Sequence, residues 1–315
     1  APVSKFDNDK GALYRGTIRL KSFTEAEKKW SSYAAERGAS GGQRKLIVMH
    51  DYGSSVTERD KRPVKLITLA AEQGSSRAQY NLAIMFDFGE GVPVNDKTAV
   101  KWYTKAAKQG NANAQLNLAI MYDSGEGVSE NDKTAVKWYT EAAEQGYAGA
   151  QYNLAAMYAE GNGVPKNQKT AVKWFTKAAD RGNEDAQFSL AVMYDDGDGV
   201  LKNDETAVKW YTKAAEQGHA AAQFNLAMLY DYGEGVSEND KTALKWYTKA
   251  AEQGEAYAQD TLGYMYAEGD GVPENQKTAV KWFTKAAEQG NADAQYNLGY
   301  MYDEGRGVSE NDKTA

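Results

Sequence analysis

The chain has 315 residues, enough for two ordinary domains, and a formal net charge of −7 from 37 Lys and Arg against 44 Asp and Glu. An acidic balance argues against a protein that binds the phosphate backbone of nucleic acid, which needs clustered cations. Cysteine is absent, which excludes disulfides, thiolate metal sites and cysteine nucleophiles. With only His50 and His219, a multi-histidine metal site is nearly excluded too, and no cofactor is predicted. The sequence also lacks a run of 18 apolar residues, the length needed to span a membrane.

The sequence begins Ala1-Pro2-Val3-Ser4, without an initiator methionine and without a signal-peptide pattern. This beginning fits either a mature secreted chain after cleavage or a trimmed sequence. A periplasmic or secreted location is therefore one expectation, and a cytoplasmic location is the other. Residues 1–24 are interpreted as an N-terminal segment that holds a helical cap around Ala12-Leu13-Tyr14.

A repeat of 36 residues dominates the rest of the chain. The segment that begins at Lys97 returns, identical or closely similar, at Lys133, Lys169, Glu205, Lys241 and Lys277. The register extends back to residue 25, where the first repeat is degenerate, as expected of a terminal cap. The predicted repeats are residues 25–60, 61–96, 97–132, 133–168, 169–204, 205–240, 241–276 and 277–312.

Each repeat is predicted to contain two helices, an outer one and then an inner one. The outer helix, as in Lys133–Glu144, has a broad apolar stripe opposite a polar stripe. The inner helix, as in Asn111–Ser124, has apolar residues at i, i+4, i+7 and i+8. Asn131 and its equivalents stand where an N-cap is needed, and glycines after the helices permit a left-handed ending. Because one such pair cannot bury its apolar faces alone, the repeats are predicted to stack as an all-α solenoid.

Two segments carry a resemblance to a known family. Ala292–Val308, with its Ala-Gln-Tyr-Asn-Leu-Gly-Tyr-Met-Tyr run and Gly-Arg-Gly-Val loop, resembles the Sel1-like repeat, and so does Lys245–Gly254. The resemblance covers roughly residues 25–315 and implies a right-handed superhelical α/α solenoid, related to tetratricopeptide repeats, that scaffolds protein complexes. It also implies that the inner helices line a concave surface. Some family members staple each repeat with a cysteine pair, which this chain lacks.

Five positions of the inner helix vary between repeats although the core positions hardly change. In the second repeat they are Arg77, Tyr80, Asn81, Ile84 and Phe88, which fall within one wedge of a helix. The wedge is richer in Tyr, Phe, Ile and Met than an ordinary solvent face, which favours a partner-binding groove. Packing between repeats together with neutral drift is the other interpretation. The residues predicted to bind the partner are Arg77, Tyr80, Asn81, Ile84, Asn113, Leu116, Asn117, Ile120, Tyr152, Asn153, Asp185, Phe188, Val192, Phe224, Asn225, Met228, Tyr232, Tyr257, Asp260, Tyr264, Tyr296, Asn297 and Tyr300.

Amide and carboxylate side chains recur on this wedge. The nearly constant Asn81 position is interpreted either as a ladder that binds an extended peptide, at roughly 1 kcal/mol per hydrogen bond, or as a bond to a neighbouring helix. Acids on the same side, among them Asp87, Asp195 and Asp293, predict a basic or polar protein partner with apolar anchors and no nucleic acid. The Lys stripe of the outer helices is interpreted as a solvated face, with anionic-lipid binding as the lesser alternative.

Several motifs are interpreted as structural. The acidic loop Asp195–Val200 lacks the ligand spacing of an EF-hand. The repeated Trp, such as Trp102, is interpreted as core packing, and His219 is interpreted as incidental. Because no Ser-His-Asp set, P-loop or paired-acid cleft can be assembled, the chain is not predicted to be an enzyme.

The predicted function is a non-catalytic scaffold that binds a protein or peptide in its groove. The resemblance also implies a bacterial origin and offers an alternative, a periplasmic immunity protein that neutralises a secreted phospholipase-type toxin. A structural array without a ligand is the third interpretation. β-Lactamase-like activity, which the resemblance associates with cysteine-rich relatives, lacks a nucleophile here. The chain stops at Lys313-Thr314-Ala315, where another outer helix is due, so either the natural protein continues or this end stacks on another molecule.

Overall fold

The computed structural model describes residues 61–308, which within that range fold into helices and loops without a strand. The helices are α1 (Lys61–Glu72), α2 (Ser76–Phe88), α3 (Asp96–Ala107), α4 (Ala112–Ser124), α5 (Asp132–Glu144), α6 (Ala148–Glu160), α7 (Gln168–Asp180), α8 (Glu184–Asp196), α9 (Asp204–Glu216), α10 (Ala220–Tyr232), α11 (Asp240–Glu252), α12 (Ala256–Glu268), α13 (Gln276–Glu288) and α14 (Ala292–Asp303). The odd-numbered helices are the outer ones and the even-numbered helices are the inner ones. The all-α repeat fold is thereby confirmed, while the segment 1–24 and the repeat 25–60 lie outside the described residues.

The described chain forms two compact parts, residues 61–186 and residues 187–308. In the first part, each helix from α1 to α7 packs on the next, around buried side chains such as Leu82, Tyr103 and Leu118. In the second part, the helices from α9 to α14 do the same, and Phe283 and Met301 lie in its core. Consecutive antiparallel helices therefore bury the apolar stripes that a single pair leaves open, as expected of a solenoid.

Local sequence sets both ends of the helices. The predicted caps of the outer helices are confirmed, because the side-chain oxygen of Asn131 accepts a hydrogen bond from the backbone N–H of Thr134, at 2.9 Å. The same bond recurs at Asn95, Asn167, Asn203, Asn239 and Asn275. Each inner helix from α2 to α12 ends at a glycine with positive φ, such as Gly89 at 74°.

The Trp side chains pack on the core as predicted, and the Lys stripe covers them. Trp102 is buried, and the ammonium group of Lys105 lies 4.0 Å from its ring centroid. Lys177 and Trp174 are placed the same way at 3.9 Å. Part of the Lys stripe therefore does more than solvate the outer helices, since cation–π contact and the apolar stem shield the indole rings from water.

A buried glutamine in each inner helix from α2 to α12 bonds to its own helix pair, and in five of the six it also bonds to the next pair. The Nε2 of Gln115 donates to the carbonyl of Ala107, at 3.2 Å, and the Oε1 of Gln115 accepts from Nε2 of Gln145 in the next outer helix, at 2.7 Å. This Gln–Gln bond is repeated between Gln109 and Gln79, Gln217 and Gln187, Gln253 and Gln223, and Gln289 and Gln259. Arg181 replaces the outer glutamine opposite Gln151. The repeats are thus joined by directional polar bonds as well as by apolar packing.

In several repeats the last glycine of the Gly-x-Gly loop lies against the backbone of the preceding outer helix. Gly127 has a φ of 67°, and a Cβ atom there would lie 2.5 Å from the carbonyl carbon of Asp96 in the first turn of α3. Gly163 meets Asp132 in the same way. Only a residue without a side chain fits at Gly127 and Gly163, so these glycines let the loop approach the backbone of the outer helix closely.

Candidate functional site

The structure divides the predicted partner-binding residues by their exposure. Those exposed are Arg77, Asp185, Tyr232, Tyr257 and Tyr296. Those half-buried are Tyr80, Asn81, Ile84, Asn113, Asn117, Ile120, Tyr152, Asn153, Phe188, Val192, Met228, Tyr264 and Tyr300. Those buried are Leu116, Phe224, Asn225, Asp260 and Asn297. The exposed and half-buried residues are called the inner-helix face below.

The five buried residues correct the prediction, because a side chain closed off from solvent offers no surface to a partner. Phe224 is 3% exposed, and its ring lies 5.7 Å from that of Tyr247 and 6.1 Å from that of Tyr257. The ring pairs Tyr80–Tyr103, Tyr152–Phe175 and Phe188–Tyr211 have similar separations of 6.0, 5.6 and 5.9 Å. The aromatic side chains of the wedge therefore pack partly on the following outer helix. This agrees with the alternative interpretation, in which these residues pack between repeats.

The Asn series also has partners within the chain. The Nδ2 of Asn117 donates to the Tyr103 hydroxyl at 3.0 Å, and that hydroxyl donates to a carboxylate oxygen of Asp87 at 3.1 Å. The same Asn–Tyr–Asp set recurs with Asn225, Tyr211 and Asp195, and with Asn153, Tyr139 and Asp123. These amides bond a neighbouring helix, which favours that interpretation over a peptide ladder.

The same bonds show that two of the acids predicted to lie on the binding side, Asp87 and Asp195, are in the core instead. Asp87 and Asp195 are 6% and 2% exposed and lie in the core beside a tyrosine. Burial, partly offset by Lys202, raises the pKa of Asp195 to about 6. Burial, followed by the nearby carboxylate, raises the pKa of the Tyr211 hydroxyl well above its usual value. The acids that remain at the surface of the inner helices include Asp185, Asp196 and Asp293.

The sequence contains a signal for these Asn–Tyr–Asp hydrogen bonds that helical periodicity does not reveal. Where Ala159 replaces the aspartate, Phe175 replaces the tyrosine 16 residues later, and Ala267 and Phe283 repeat that exchange. Asp and Tyr thus appear together or not at all in the described repeats. A paired exchange of this kind is what a buried hydrogen bond requires, because either partner alone leaves a polar atom unsatisfied.

We expect Tyr139→Phe to lower the free energy of unfolding by about 1–2 kcal/mol, since Asp123 loses its hydrogen-bond donor. Asp123→Ala is expected to cost a similar amount for the converse reason. The double variant copies Ala159 and Phe175 of the next repeat, and we expect it to recover most of the loss. Urea unfolding of all four proteins measures the coupling. Strictly additive losses would show that the two side chains do not stabilise each other.

Asp260 differs from its equivalents in the other repeats. It stands where α2, α6, α8, α10 and α14 carry an aromatic ring, and it is 3% exposed. Its Oδ1 accepts a hydrogen bond from Nδ2 of Asn297 in α14, at 3.2 Å. Burial is the main cause that raises its pKa to about 7, with Asp293 adding to the shift and the Asn297 bond opposing it.

His219 is a helix cap rather than an incidental residue. Its Nδ1 accepts a hydrogen bond from the backbone N–H of Ala222, at 3.1 Å, in the place that Asn111 occupies at α4. Its ring also stacks on Phe188, with centroids 4.5 Å apart. Both contacts are structural, so His219 needs no ligand to account for it.

The described residues contain no group of three or more His, Asp and Glu side chains placed to hold a metal ion. Between residues 61 and 308, every helix is too short or too polar to cross a membrane. The exposed side chains of the inner helices include the tyrosines Tyr232 and Tyr257 and the carboxylates Asp185 and Asp196.

Seven consecutive segments of the chain match the family model of the Sel1 repeat: 76–111, 112–147, 148–183, 184–219, 220–255, 256–291 and 292–315. The chain belongs to the Sel1 repeat family. Each matched segment between residues 76 and 291 begins with an inner helix and ends after the outer helix that follows it. The family model therefore uses the same 36-residue period as the repeats defined above, but its boundaries fall between the two helices of each pair. Sel1 repeats are typically non-catalytic and generally mediate protein interactions.

Two solved structures share 35% sequence identity with this Sel1 repeat protein. A protective antigen of uropathogenic Escherichia coli strains matches with a TM-score of 0.78 over 92% of the chain, and the chain spans 62% of the length of that antigen. A Sel1 repeat protein from Oxalobacter formigenes matches with a TM-score of 0.68 over 92% of this chain and 83% of its own. An immunity protein of Pseudomonas aeruginosa, Pa5087, is 22% identical over 70% of this chain and 83% of its own, with a TM-score of 0.40, which carries no argument about function. No curated protein matches the chain.

Proposed function

We propose that this Sel1 repeat protein is a scaffold that binds a protein or peptide partner through its inner-helix face. The observation that carries the proposal is the exposure of aromatic side chains on α10 and α12, two inner helices that already pack on the outer helix that follows them. Tyr232 and Tyr257 are 50% and 39% exposed. Tyrosine is enriched at the centres of protein interfaces, where one side chain offers a large apolar ring and a polar hydroxyl.

Charge supports a basic or polar partner. Within the described residues, Arg77 is the only Lys or Arg on an inner helix. The outer helices carry most of the cations, including the exposed Lys101, Lys209 and Lys245. A face with surface carboxylates and almost no cations attracts a basic protein segment and repels phosphate groups. Most cations of the described residues thus lie on the outer helices, whereas the exposed Tyr232 and Tyr257 lie on inner helices.

A photoreactive amino acid tests the proposal without disturbing the core. It is introduced singly at the exposed positions Arg77, Asp185 and Tyr296, and at Lys101 and Lys245 as controls on outer helices. In an extract of the source organism, we expect adducts of one discrete mass from the inner positions, which excess unlabelled protein suppresses. Adducts from the outer controls alone, or from no position, would contradict the proposal.

A further inference from the structure

The outer helices of residues 61–186 carry exposed lysines on one shared stripe. Positions spaced by four residues lie on the same side of an α-helix, about 6 Å apart along its axis. In α3, α5 and α7 three such positions are lysine with the exception of Glu141. These exposed lysines are called the Lys face below: Lys97, Lys101, Lys105, Lys133, Lys137, Lys169, Lys173 and Lys177.

The stripes of α3, α5 and α7 form one surface, because neighbouring outer helices pack through their indole rings. Trp138 of α5 packs on the buried cluster that contains Trp102 of α3. Trp174 of α7 packs in turn on the cluster that contains Val136 of α5. The Lys face is therefore an array of positive charge in two dimensions, along each helix and across three helices.

The lysines of this face have no carboxylate partner within residues 61–308, since none of them forms an ion pair there. Some of the ammonium groups rest on indole rings instead, as Lys105 does on Trp102, and these lysines stay exposed. Exposed carboxylates interrupt the array at Glu141 and border it at Glu144 and Asp180. A chain with a net charge of −7 thus gathers unpaired cations on one side of its outer helices.

We propose that the Lys face binds the surface of a membrane that contains anionic lipids. The inference goes beyond the proposed function, because it places one side of the scaffold on a membrane and leaves the inner-helix face to the protein partner. Clusters of about 4–8 Lys or Arg near a bilayer are typical of surfaces that bind anionic lipid. Trp102 is buried, so the contact is electrostatic and the indole ring stays in the protein.

The carboxylates of the inner helices do not cancel this attraction. The inner helix is the second layer of each pair, and the axes of packed helices lie about 8–10 Å apart. The Debye length is about 8 Å at physiological ionic strength, so charges one layer behind the Lys face are largely screened from the membrane. The sign of the nearest layer therefore decides the interaction.

The Lys face fits a lipid surface better than a nucleic acid. A nucleic acid presents its phosphates along a line, whereas this array extends across three helices. Helices α3, α5 and α7 contain no arginine, the residue whose planar fork suits recognition of nucleic acid. Trp102 is buried, and Trp138 and Trp174 are half-buried, so this face offers no exposed ring on which a base could stack.

Co-sedimentation of the full chain with vesicles tests the proposal. One set of vesicles is phosphatidylcholine alone, and the other also contains about one third phosphatidylserine. We expect binding to the anionic vesicles in about 0.1 M salt and none to the neutral vesicles. Binding is expected to be lost in about 1 M salt, since the Debye length falls from about 10 to about 3 Å. Equal binding to both kinds of vesicle contradicts the proposal, and so does absence of binding by the folded protein.

Two charge-reversed variants locate the contact. One carries Lys101→Glu and Lys173→Glu, which lie outside the cation–π pairs of the Lys face. The control carries Arg77→Glu and Lys166→Glu, two exposed positions outside the Lys face, and changes the net charge by the same amount. We expect the first variant to bind anionic vesicles at least about tenfold more weakly, and the control less than about threefold. Equal weakening would show that only net charge matters.

A fragment of duplex DNA serves as the comparison ligand. We expect it to bind more weakly than the anionic vesicles at the same salt concentration, because its phosphates engage one row of lysines at a time. Tighter binding of DNA would assign the Lys face to nucleic acid and overturn the proposal.

Energy transfer tests the orientation on the membrane, since the chain has no cysteine of its own. Glu141→Cys lies among the lysines of α5, and Ser124→Cys lies at the exposed end of the inner helix α4. With a donor dye at either position and an acceptor lipid in the vesicles, we expect more transfer from position 141. Equal transfer from both positions would contradict binding through the Lys face. No protein partner enters these experiments, so their failure leaves the scaffold proposal intact.

Discussion

Replacement of Gly127 by alanine is expected to cost roughly 2–5 kcal/mol of unfolding free energy. Two separate penalties contribute. The left-handed backbone, with φ at 67°, disfavours any residue with a Cβ by about 1–2 kcal/mol. The new methyl group also meets the backbone of Asp96 at 2.5 Å, and forced overpacking of this kind typically costs about 1–3 kcal/mol. Backbone atoms cannot rotate away, so the loop must move relative to α3.

Gly110→Ala is the matched control for Gly127→Ala. Gly110 also has a positive φ, 83°, but no atom lies within 4 Å of a Cβ built there. We therefore expect Gly110→Ala to cost only the backbone penalty, about 1–2 kcal/mol. Urea unfolding followed by circular dichroism compares the two, and hydrogen exchange is expected to show the larger loss of protection in α3 to α5. Equal destabilisation by both variants would mean that the contact with Asp96 adds nothing.

The second large effect is a dependence of the unfolding free energy on pH, caused by the buried carboxyl group of Asp260. Its folded-state pKa of about 7 lies above the value near 3.9 of an unfolded aspartate. The folded protein therefore binds more protons than the unfolded chain between about pH 4 and pH 7. The contribution of Asp260 to the unfolding free energy is therefore fully present below pH 4 and is lost as the pH rises through 7. A shift of this size corresponds to a difference on the order of 4 kcal/mol.

Asp260→Asn removes this titration and keeps an oxygen for Asn297. We expect the variant to exceed the natural protein in unfolding free energy at pH 8, by up to about 4 kcal/mol, and to match it near pH 3.5. Asp196→Asn, which removes an exposed carboxylate, is expected to change stability by less than about 0.5 kcal/mol at both values. A pH-independent difference between Asp260→Asn and the natural protein would rule out a buried, titrating carboxylate.

The regular parts of the fold were predictable from the sequence because they depend on local chemistry. The N-caps, such as Asn131, need only a side chain that reaches a backbone N–H three residues away, and the helix-ending glycines need only a left-handed conformation. Helical periodicity also identified Trp102 as a core residue. These features are confirmed wherever the structure describes them.

The depth of the inner-helix residues was not predictable in the same way. Periodicity gives the direction of a side chain around its own helix, but burial depends on the neighbour that covers it. Phe188 and Phe224 occupy equivalent positions, yet only Phe224 is buried, and the ring of Tyr257 from the next repeat lies against it. The core role of Asp87 was missed for a related reason: its partner, Tyr103, is on a different helix.

The Gln–Gln bonds have a consequence for how such a chain changes length. Their two amides lie 30 residues apart and belong to neighbouring repeats, as in Gln115 and Gln145. Duplication or loss of one whole 36-residue copy recreates the bond at the new junction. An insertion of another size leaves a buried amide without its hydrogen-bond partner. Recombination is therefore tolerated when it adds or removes whole 36-residue copies. Among the copies that the structure describes, the boundary at Gln151 and Arg181 lacks that bond, so an unequal exchange is less constrained there.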